Sequence, residues 1–463
     1  MLVFAAILLI ARAPLPLLEP EEARYAEIPR QMASLGRWLV PIRDGQDYLD
    51  KPPLLYWLVS ASYSAFGVHD WAARLPTLAA TWFTIGIVLG WGWRAESPGA
   101  GVAAALTLTL AGDFLYRAPM LTMNGPLALF VTASLAAGHV ARLQNFTGWW
   151  LTSGVACGLG MMMKGPIAIA LVGPPLLTVG WFDRRARQIT FWHGVTWTAA
   201  VVAVAAPWFI AVAIERPEFI EYFFWRHHIQ RFATPFDHAG PIWQYVPQLT
   251  VGMFPWSLLV VGLLLRDRRR NGSVKMTPIA MFGFAAAIWG FALFSFSGSK
   301  RPVYLVPIYP PLAVAIGTEL WRLRLIVGRE ISMVIVAAVS LAIVIGTLGW
   351  MPRYTREFSI AEVVKAVNDV PANVPIVCYG QSWDSVGFYL QRNNVVTLLG
   401  ERRAELTSIA GQNERTLVFI SNKSAGDDFA ACLPPGRMFV PIAENRQTRV
   451  GWINSPTGIA GRR

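Results

Sequence analysis

Charge is the scarcest ingredient of this sequence. Asp, Glu, Lys and Arg supply 15% of its 463 residues, where a soluble protein carries roughly a quarter. That shortage excludes an ordinary soluble enzyme. Cysteine is rare too. Cys157, Cys378 and Cys432 stand far apart with no CxxC spacing, which removes a zinc site and a dithiol motif. A pairing of Cys378 with Cys432 stays open. The chain also lacks a Gly-rich phosphate loop, a DxD pair and any internal repeat. The usual grips on a nucleotide are therefore missing, as is the repeat symmetry of many transporters.

What is present is apolar. Hydrophobic residues make up 54% of the chain, and the mean hydropathy is +0.42. Hydrocarbon offers no partners to backbone N–H and C=O groups, so such stretches should be helices. The 20 Trp and 25 Phe suit a chain that crosses many membrane–water interfaces. Apolar runs predict spans near 1–18, 71–93, 100–116, 124–141, 149–163, 166–182, 191–213, 246–265, 276–296, 302–321 and 330–350, about eleven in all. Met1 to Ile10 resembles a signal-peptide core but lacks a cationic start, so it reads as a short first span. Pro52 to Gly67 is apolar, short and Pro-led, and reads as an interfacial or re-entrant helix.

The net charge is +12. In a soluble protein this would suggest nucleic acid. Here the densest basic runs, Arg184-Arg185-Ala186-Arg187 and Arg266-Asp267-Arg268-Arg269-Arg270, lie between apolar segments. They read as cytosolic loops facing anionic membrane lipids, with no nucleic-acid partner. The opposite side then receives the loop 19–70, the turn 117–124, Lys164, the loop 214–245, the turn 297–303 and the C-terminal tail. The tail changes character. Val374–Tyr379, Val395–Leu399 and Thr416–Ile420 read as strands and Asp384–Leu390 as a helix. The expected architecture is an all-α polytopic membrane domain over 1–350 and a small extracytoplasmic α/β domain over 351–463.

The loop 19–70 carries the first chemical signal. Glu19-Pro20-Glu21-Glu22-Ala23-Arg24-Tyr25-Ala26-Glu27 has the Pro and Glu of a helix start, and Glu21 and Arg24 share one helix face. In Asp50-Lys51-Pro52-Pro53, Lys51 reads either as a snorkelling anchor or as a grip on a lipid phosphate, with Asp50 as a candidate metal ligand. The remaining pieces are Asn124, Lys164-Gly165-Pro166, the run Trp225-Arg226-His227-His228-Ile229-Gln230-Arg231-Phe232, and Ser299-Lys300-Arg301-Pro302-Val303-Tyr304. Each alone is weak. Together they fall on one predicted side at similar depth, as a pocket for an anionic phospho-sugar requires. Cations stabilise a leaving phosphate, and a carboxylate takes the acceptor's proton.

These motifs, in this order, resemble the bacterial lipid A aminoarabinose transferases. More broadly they resemble the dolichyl-phosphate-mannose protein mannosyltransferase superfamily with the C-type glycosyltransferase fold, over roughly residues 15–310. The resemblance implies a sugar donor carried on polyprenyl phosphate, with no nucleotide cofactor. It implies transfer with inversion at the anomeric carbon, on the periplasmic side of a bacterial inner membrane. The acceptor would be lipid A, another lipid or a protein. Arg24, Lys51 and Tyr304 would hold the donor phosphate, and Glu21 and Asp50 would be the catalytic carboxylates. Asn124, Lys164, His227, Arg231 and Lys300 are further site candidates. A divalent cation is a candidate cofactor, with Asp50, Asn124 and His228 at the family's ligand positions. Two departures stand out. Asn124 replaces the family's second acid and brings no charge. His227 replaces an acid common in relatives. The competing readings are a transporter or flippase of lipid-linked glycans, and an inactive envelope-assembly scaffold.

Overall fold

The computed structural model describes every residue except 1–5, 7–9, 145, 231–237, 261–275, 325–337, 339–340, 343, 368–369, 423–426 and 455–463, and except the side chains of 227–229, 347, 358 and 427–428. The chain divides into two compact units. The first comprises Met1–Ala13, Leu49–Leu58 and Arg74–Gly346. The second comprises Pro14–Tyr48, Val59–Ala73 and Thr347–Arg463.

The first unit is helical. Among the described residues, five helices are long and apolar enough to cross a membrane: Asp70–Ala95, Asn124–Gln144, Phe191–Glu215, Pro278–Phe296 and Pro302–Arg322. The chain is a multi-pass membrane protein. Leu54–Phe66, Pro98–Thr109 and Ile167–Phe182 are shorter apolar helices. The expected span at 100–116 is interrupted, because Pro98–Thr109 ends before Gly112–Arg117 begins. The spans expected at 1–18, 246–265 and 330–350 fall partly outside the described residues.

Local chemistry sets the helix starts. Ser97 caps Pro98–Thr109, accepting from Ala100 N–H at 3.3 Å, with Pro at the first helical position. Thr190 and His193 form a capping box at the start of Phe191–Glu215. Water drives little association between helices in lipid, so close fit and internal hydrogen bonds must do it. Helix Asn124–Gln144 packs on Thr147–Lys164, where Ser134 Oγ donates to Ser153 O at 2.7 Å and Ser153 Oγ returns a bond of 2.8 Å to Ser134 O. Helix Pro98–Thr109 packs on Tyr309–Arg322 so closely that a Cβ on Gly317 would sit 2.3 Å from Ala104 Cα.

The second unit joins the first loop to the tail. Helix Glu21–Leu35 ends at Gly36, whose φ of 65° supplies the left-handed cap. Strands β1 (Ile42–Arg43) and β2 (Gln46–Asp47) pair antiparallel around Asp44-Gly45. Both turn residues have positive φ, as a two-residue hairpin of this kind demands. The tail forms one mixed sheet from β3 (Ile376–Tyr379), β4 (Val395–Leu398), β5 (Arg415–Ser421), β6 (Met438–Glu444) and β7 (Thr448–Asn454). Its order is β4-β3-β5-β7-β6, with β3 parallel to β4 and β5, and β7 antiparallel to β5 and β6. Successive side chains point to opposite faces, and both faces are covered. Ile376, Cys378, Leu417 and Phe419 pack with Ile360, Val363 and Val386. Val377, Tyr379, Val418 and Ile420 pack with Leu406, Ala410 and Phe429. Cys378 and Cys432 are free thiols. The hairpin β6–β7 was not foreseen from sequence.

Gly317→Ala is expected to lower the melting temperature of the detergent-solubilised chain by several degrees, because backbone cannot yield to the added methyl. Gly173→Ala, where nothing lies within 4 Å of the added atom, is the control and should change it by less than about one degree.

Candidate functional site

In the first unit, three predicted residues come together. Asn124 opens helix Asn124–Gln144 and is buried. Its amide nitrogen donates to Thr122 Oγ1 at 3.3 Å, and its oxygen accepts from Lys164 Nζ at 2.6 Å. Lys164 is the last residue of helix Thr147–Lys164, which stops at Gly165. The same ammonium lies 4.2 Å from the ring centroid of Tyr304, a cation–π distance. Tyr304 belongs to the 3-10 turn Pro302–Ile308, which packs on helix Asn124–Gln144. Lys164 is thereby fixed by an amide dipole and an aromatic face.

The neighbouring turn is also pinned. Lys300 is buried, and its Nζ donates to Ser297 O at 2.5 Å. Its backbone N–H donates to His238 O at 2.8 Å. Tyr245 OH accepts from Arg301 N–H at 2.9 Å, and Gln248 Nε2 donates to Pro302 O at 3.0 Å. In the Asp50-Lys51 motif, Asp50 Oδ1 accepts from Tyr222 OH at 2.6 Å, while Lys51 Nζ donates to the Asp50 backbone oxygen at 2.9 Å. Tyr222 was missed in the sequence reading, although it stands one turn before the His pair that was singled out. His227 and His228 lie in the π-helix Glu221–Gln230, with side chains outside the description. Arg231 lies outside the described residues.

In the second unit, the first-loop motif meets the tail. Helix Glu21–Leu35 puts Glu21 and Arg24 one turn apart, as expected. Arg24 Nε lies 3.8 Å from Asp384 Oδ2. Arg43, presented by the Asp44-Gly45 hairpin, takes the same carboxylate with two bonds of 2.8 and 2.9 Å. The Asp384 side chain is fully buried, whereas Arg24 keeps 28% of its side chain exposed. A buried charge of this kind needs partners, and it has two. Burial disfavours the Arg24 charge, but Tyr48, Asp384 and Tyr25 more than restore it, so the guanidinium pKa ends above its ordinary value.

Glu19 accepts from Ser385 N–H at 2.8 Å and from the Ser385 hydroxyl. Burial first, and then the Asp384 charge, push its carboxyl up to about 8. Glu27 holds Arg30 through two bonds of 2.6 Å, and Arg30 reaches Asn393 Oδ1 at 2.7 Å. Burial raises Glu27 to about 7 against the opposing pull of Arg30. Asp384, Arg43 and Ser385 had no signal in sequence, because Arg43 and Asp384 are 341 residues apart.

The candidate metal set can be tested against this geometry. A ligand oxygen must offer a lone pair to the cation. Asn124 Oδ1 already accepts from a lysine ammonium at 2.6 Å, and a second cation there would meet that charge. Asn124 is thus a poor ligand while Lys164 holds it, and the side chain of His228 lies outside the described residues. Among the described residues, no group of three or more His, Cys, Asp or Glu is placed to hold a metal.

Residues 50–210 match the family described as dolichyl-phosphate-mannose-protein mannosyltransferase. The chain is 30% identical over 364 residues to the undecaprenyl phosphate-alpha-4-amino-4-deoxy-L-arabinose arabinosyl transferase of Erwinia tasmaniensis, covering 73% of this chain and 63% of that one. It is 28% identical over 420 residues to the protein of the same name from Yersinia enterocolitica, covering 85% and 71%. It thus spans less than two thirds of the Erwinia relative. Among solved structures it is similar to ArnT from Cupriavidus metallidurans bound to undecaprenyl phosphate, with a TM-score of 0.80, 21% identity, and coverage of 97% and 96%. The resemblance drawn from the motifs is borne out, and the fold is the C-type glycosyltransferase fold.

A carboxyl that stays protonated in the fold stabilises it fully below the pKa it has when unfolded, near 4.5, and loses that contribution as pH rises toward about 8. Glu19→Gln, neutral throughout, is expected to raise the melting temperature of the full chain at pH 9 and to leave it nearly unchanged at pH 4. Equal shifts at both pH values would contradict the assignment.

Proposed function

We propose that this member of the dolichyl-phosphate-mannose-protein mannosyltransferase superfamily, of the lipid A aminoarabinose transferase type, is an integral membrane glycosyltransferase that moves a sugar from polyprenyl phosphate to an envelope acceptor. The observation that carries the reading is the agreement of motif order, relatives and fold on one type of donor. The curated relatives are named for undecaprenyl phosphate carrying a sugar, and the ArnT structure holds undecaprenyl phosphate. The acceptor is lipid A, another lipid or a protein, and the site faces the periplasm of a bacterial inner membrane.

The reaction needs little from the protein beyond charge and position. An acceptor hydroxyl attacks the anomeric carbon while the bond from that carbon to the phosphate oxygen breaks. The electron pair leaves with the polyprenyl phosphate, and the configuration inverts. Lys51, Tyr304 and Arg24 take the phosphate, neutralising charge that grows as the bond breaks. Glu21 or Asp50 receives the acceptor's proton. Tyr222 supports the Asp50 assignment, because its hydroxyl holds Oδ1 at 2.6 Å and fixes the carboxylate's direction. The Lys164 ammonium, bound to Asn124, supplies a fixed positive charge at the position where the family has a second acid. No step is routed through a divalent cation. The flippase and scaffold readings have no comparable support, since neither needs a proton acceptor beside the phosphate cations.

Lys51→Ala is expected to cut transfer from a polyprenyl-phosphate sugar by at least about 100-fold, with the chain still inserted and its melting temperature unchanged. Transfer at the normal rate would overturn the site. Chelation with EDTA is expected to leave the rate within about twofold, since Asn124 is committed to Lys164. A loss above about tenfold, restored by added Mg²⁺ or Mn²⁺, would reinstate a metal at Asp50 and His228.

A further inference from the structure

The tail domain has no role in the reaction as written, yet its most buried carboxylate points at a first-loop arginine. Asp384 opens the helix Asp384–Leu390 and is completely covered. Arg43 satisfies both of its oxygens in a bidentate grip and adds a bond of 3.3 Å to Ser382 Oγ. Anchoring the tail to the loop therefore does not require Arg24. Arg24 nevertheless lies against the same carboxylate, at 3.8 Å, which is a through-space contact longer than a hydrogen bond. Its Nε is buried with no hydrogen-bond partner, while 28% of the side chain remains exposed. The Tyr48 side chain hydrogen-bonds the same arginine, so Arg24 is held between a tyrosine and the Asp384 carboxylate with part of its surface left accessible.

We propose that Asp384 is a positioning residue: the tail's carboxylate orients Arg24 so that its guanidinium is pre-set for the donor phosphate. This rests on the reading of Arg24 as a phosphate ligand. In the free enzyme the carboxylate limits the arginine's rotamers before donor arrives, so the ordering cost is met at folding and not at binding. Arg43 makes this feasible. It neutralises Asp384, so the carboxylate steers Arg24 without capturing it in a closed bidentate pair. The tail then acts on donor binding through Arg24 alone, without touching the donor itself.

A double-mutant cycle on the full-length chain, reconstituted in liposomes with a polyprenyl-phosphate sugar, tests this. Asp384→Asn is expected to raise the donor KM about tenfold and to change kcat by less than about twofold. In an Arg24→Ala background the same change should raise KM by less than about twofold. If Asp384→Asn acts with its full effect in the Arg24→Ala background, the positioning role is wrong and the role of Arg24 stands. If Arg24→Ala leaves the donor KM unchanged, the phosphate role of Arg24 falls, and the positioning role with it. If Asp384→Asn does not give folded protein, the cycle is run with Asp384→Glu, whose carboxylate is displaced by one methylene, and it is read the same way.

Discussion

A charge taken out of water must be met by another group, and that demand organises both units of this protein. In the second unit the buried Asp384 carboxylate collects Arg43 and Arg24, and Glu27 collects Arg30. These pairs join a loop near the start of the chain to a sheet domain at its end. In the first unit the half-buried Lys164 is met by the oxygen of Asn124 and the ring of Tyr304. Removing one partner from the Asp384 set leaves a buried charge uncompensated, which costs far more than the pair contributes. Each cluster therefore holds its side chains in place, which is what a site built on electrostatics requires.

The first-loop motif serves two purposes. Its helix presents Glu21 and Arg24 on one face, and two further acids fasten the tail: Glu19 on Ser385 and, through Arg30, Glu27 on Asn393. A motif seen only as donor recognition would make the tail an appendage. The hydrogen bonds make the loop and tail one unit. The proposed chemistry and the stability of the fold thus share residues, and damage to either is expected to be felt in both.

Much of this was legible in the sequence. Low charge and long apolar runs gave the polytopic helical class, and the change of character in the tail gave β3, β4, β5 and the Asp384–Leu390 helix. The hairpin β6–β7 was not legible. Pro441 interrupts β6 as a strand signal, and β6 carries exposed apolar residues such as Met438, Val440 and Ile442, so alternation did not mark a buried face. Span boundaries were blurred where Pro98–Thr109 breaks before Gly112. Individual site candidates were found through motif order. Their partners were not, because the Asp50–Tyr222 and Arg43–Asp384 contacts join residues 172 and 341 apart, a separation no local pattern encodes. Lys164 donates to the Asn124 oxygen, which gives this amide a fixed partner without cancelling the lysine's charge.

The central claim is that the chain breaks the bond between a sugar and a polyprenyl phosphate. Purified full-length protein in liposomes, given a polyprenyl-phosphate sugar labelled in the sugar together with an envelope extract, tests it directly. The account predicts label in an acceptor and one free polyprenyl phosphate released per sugar transferred. Recovery of the intact lipid-linked sugar, whether unmoved or carried to the other leaflet, would contradict it.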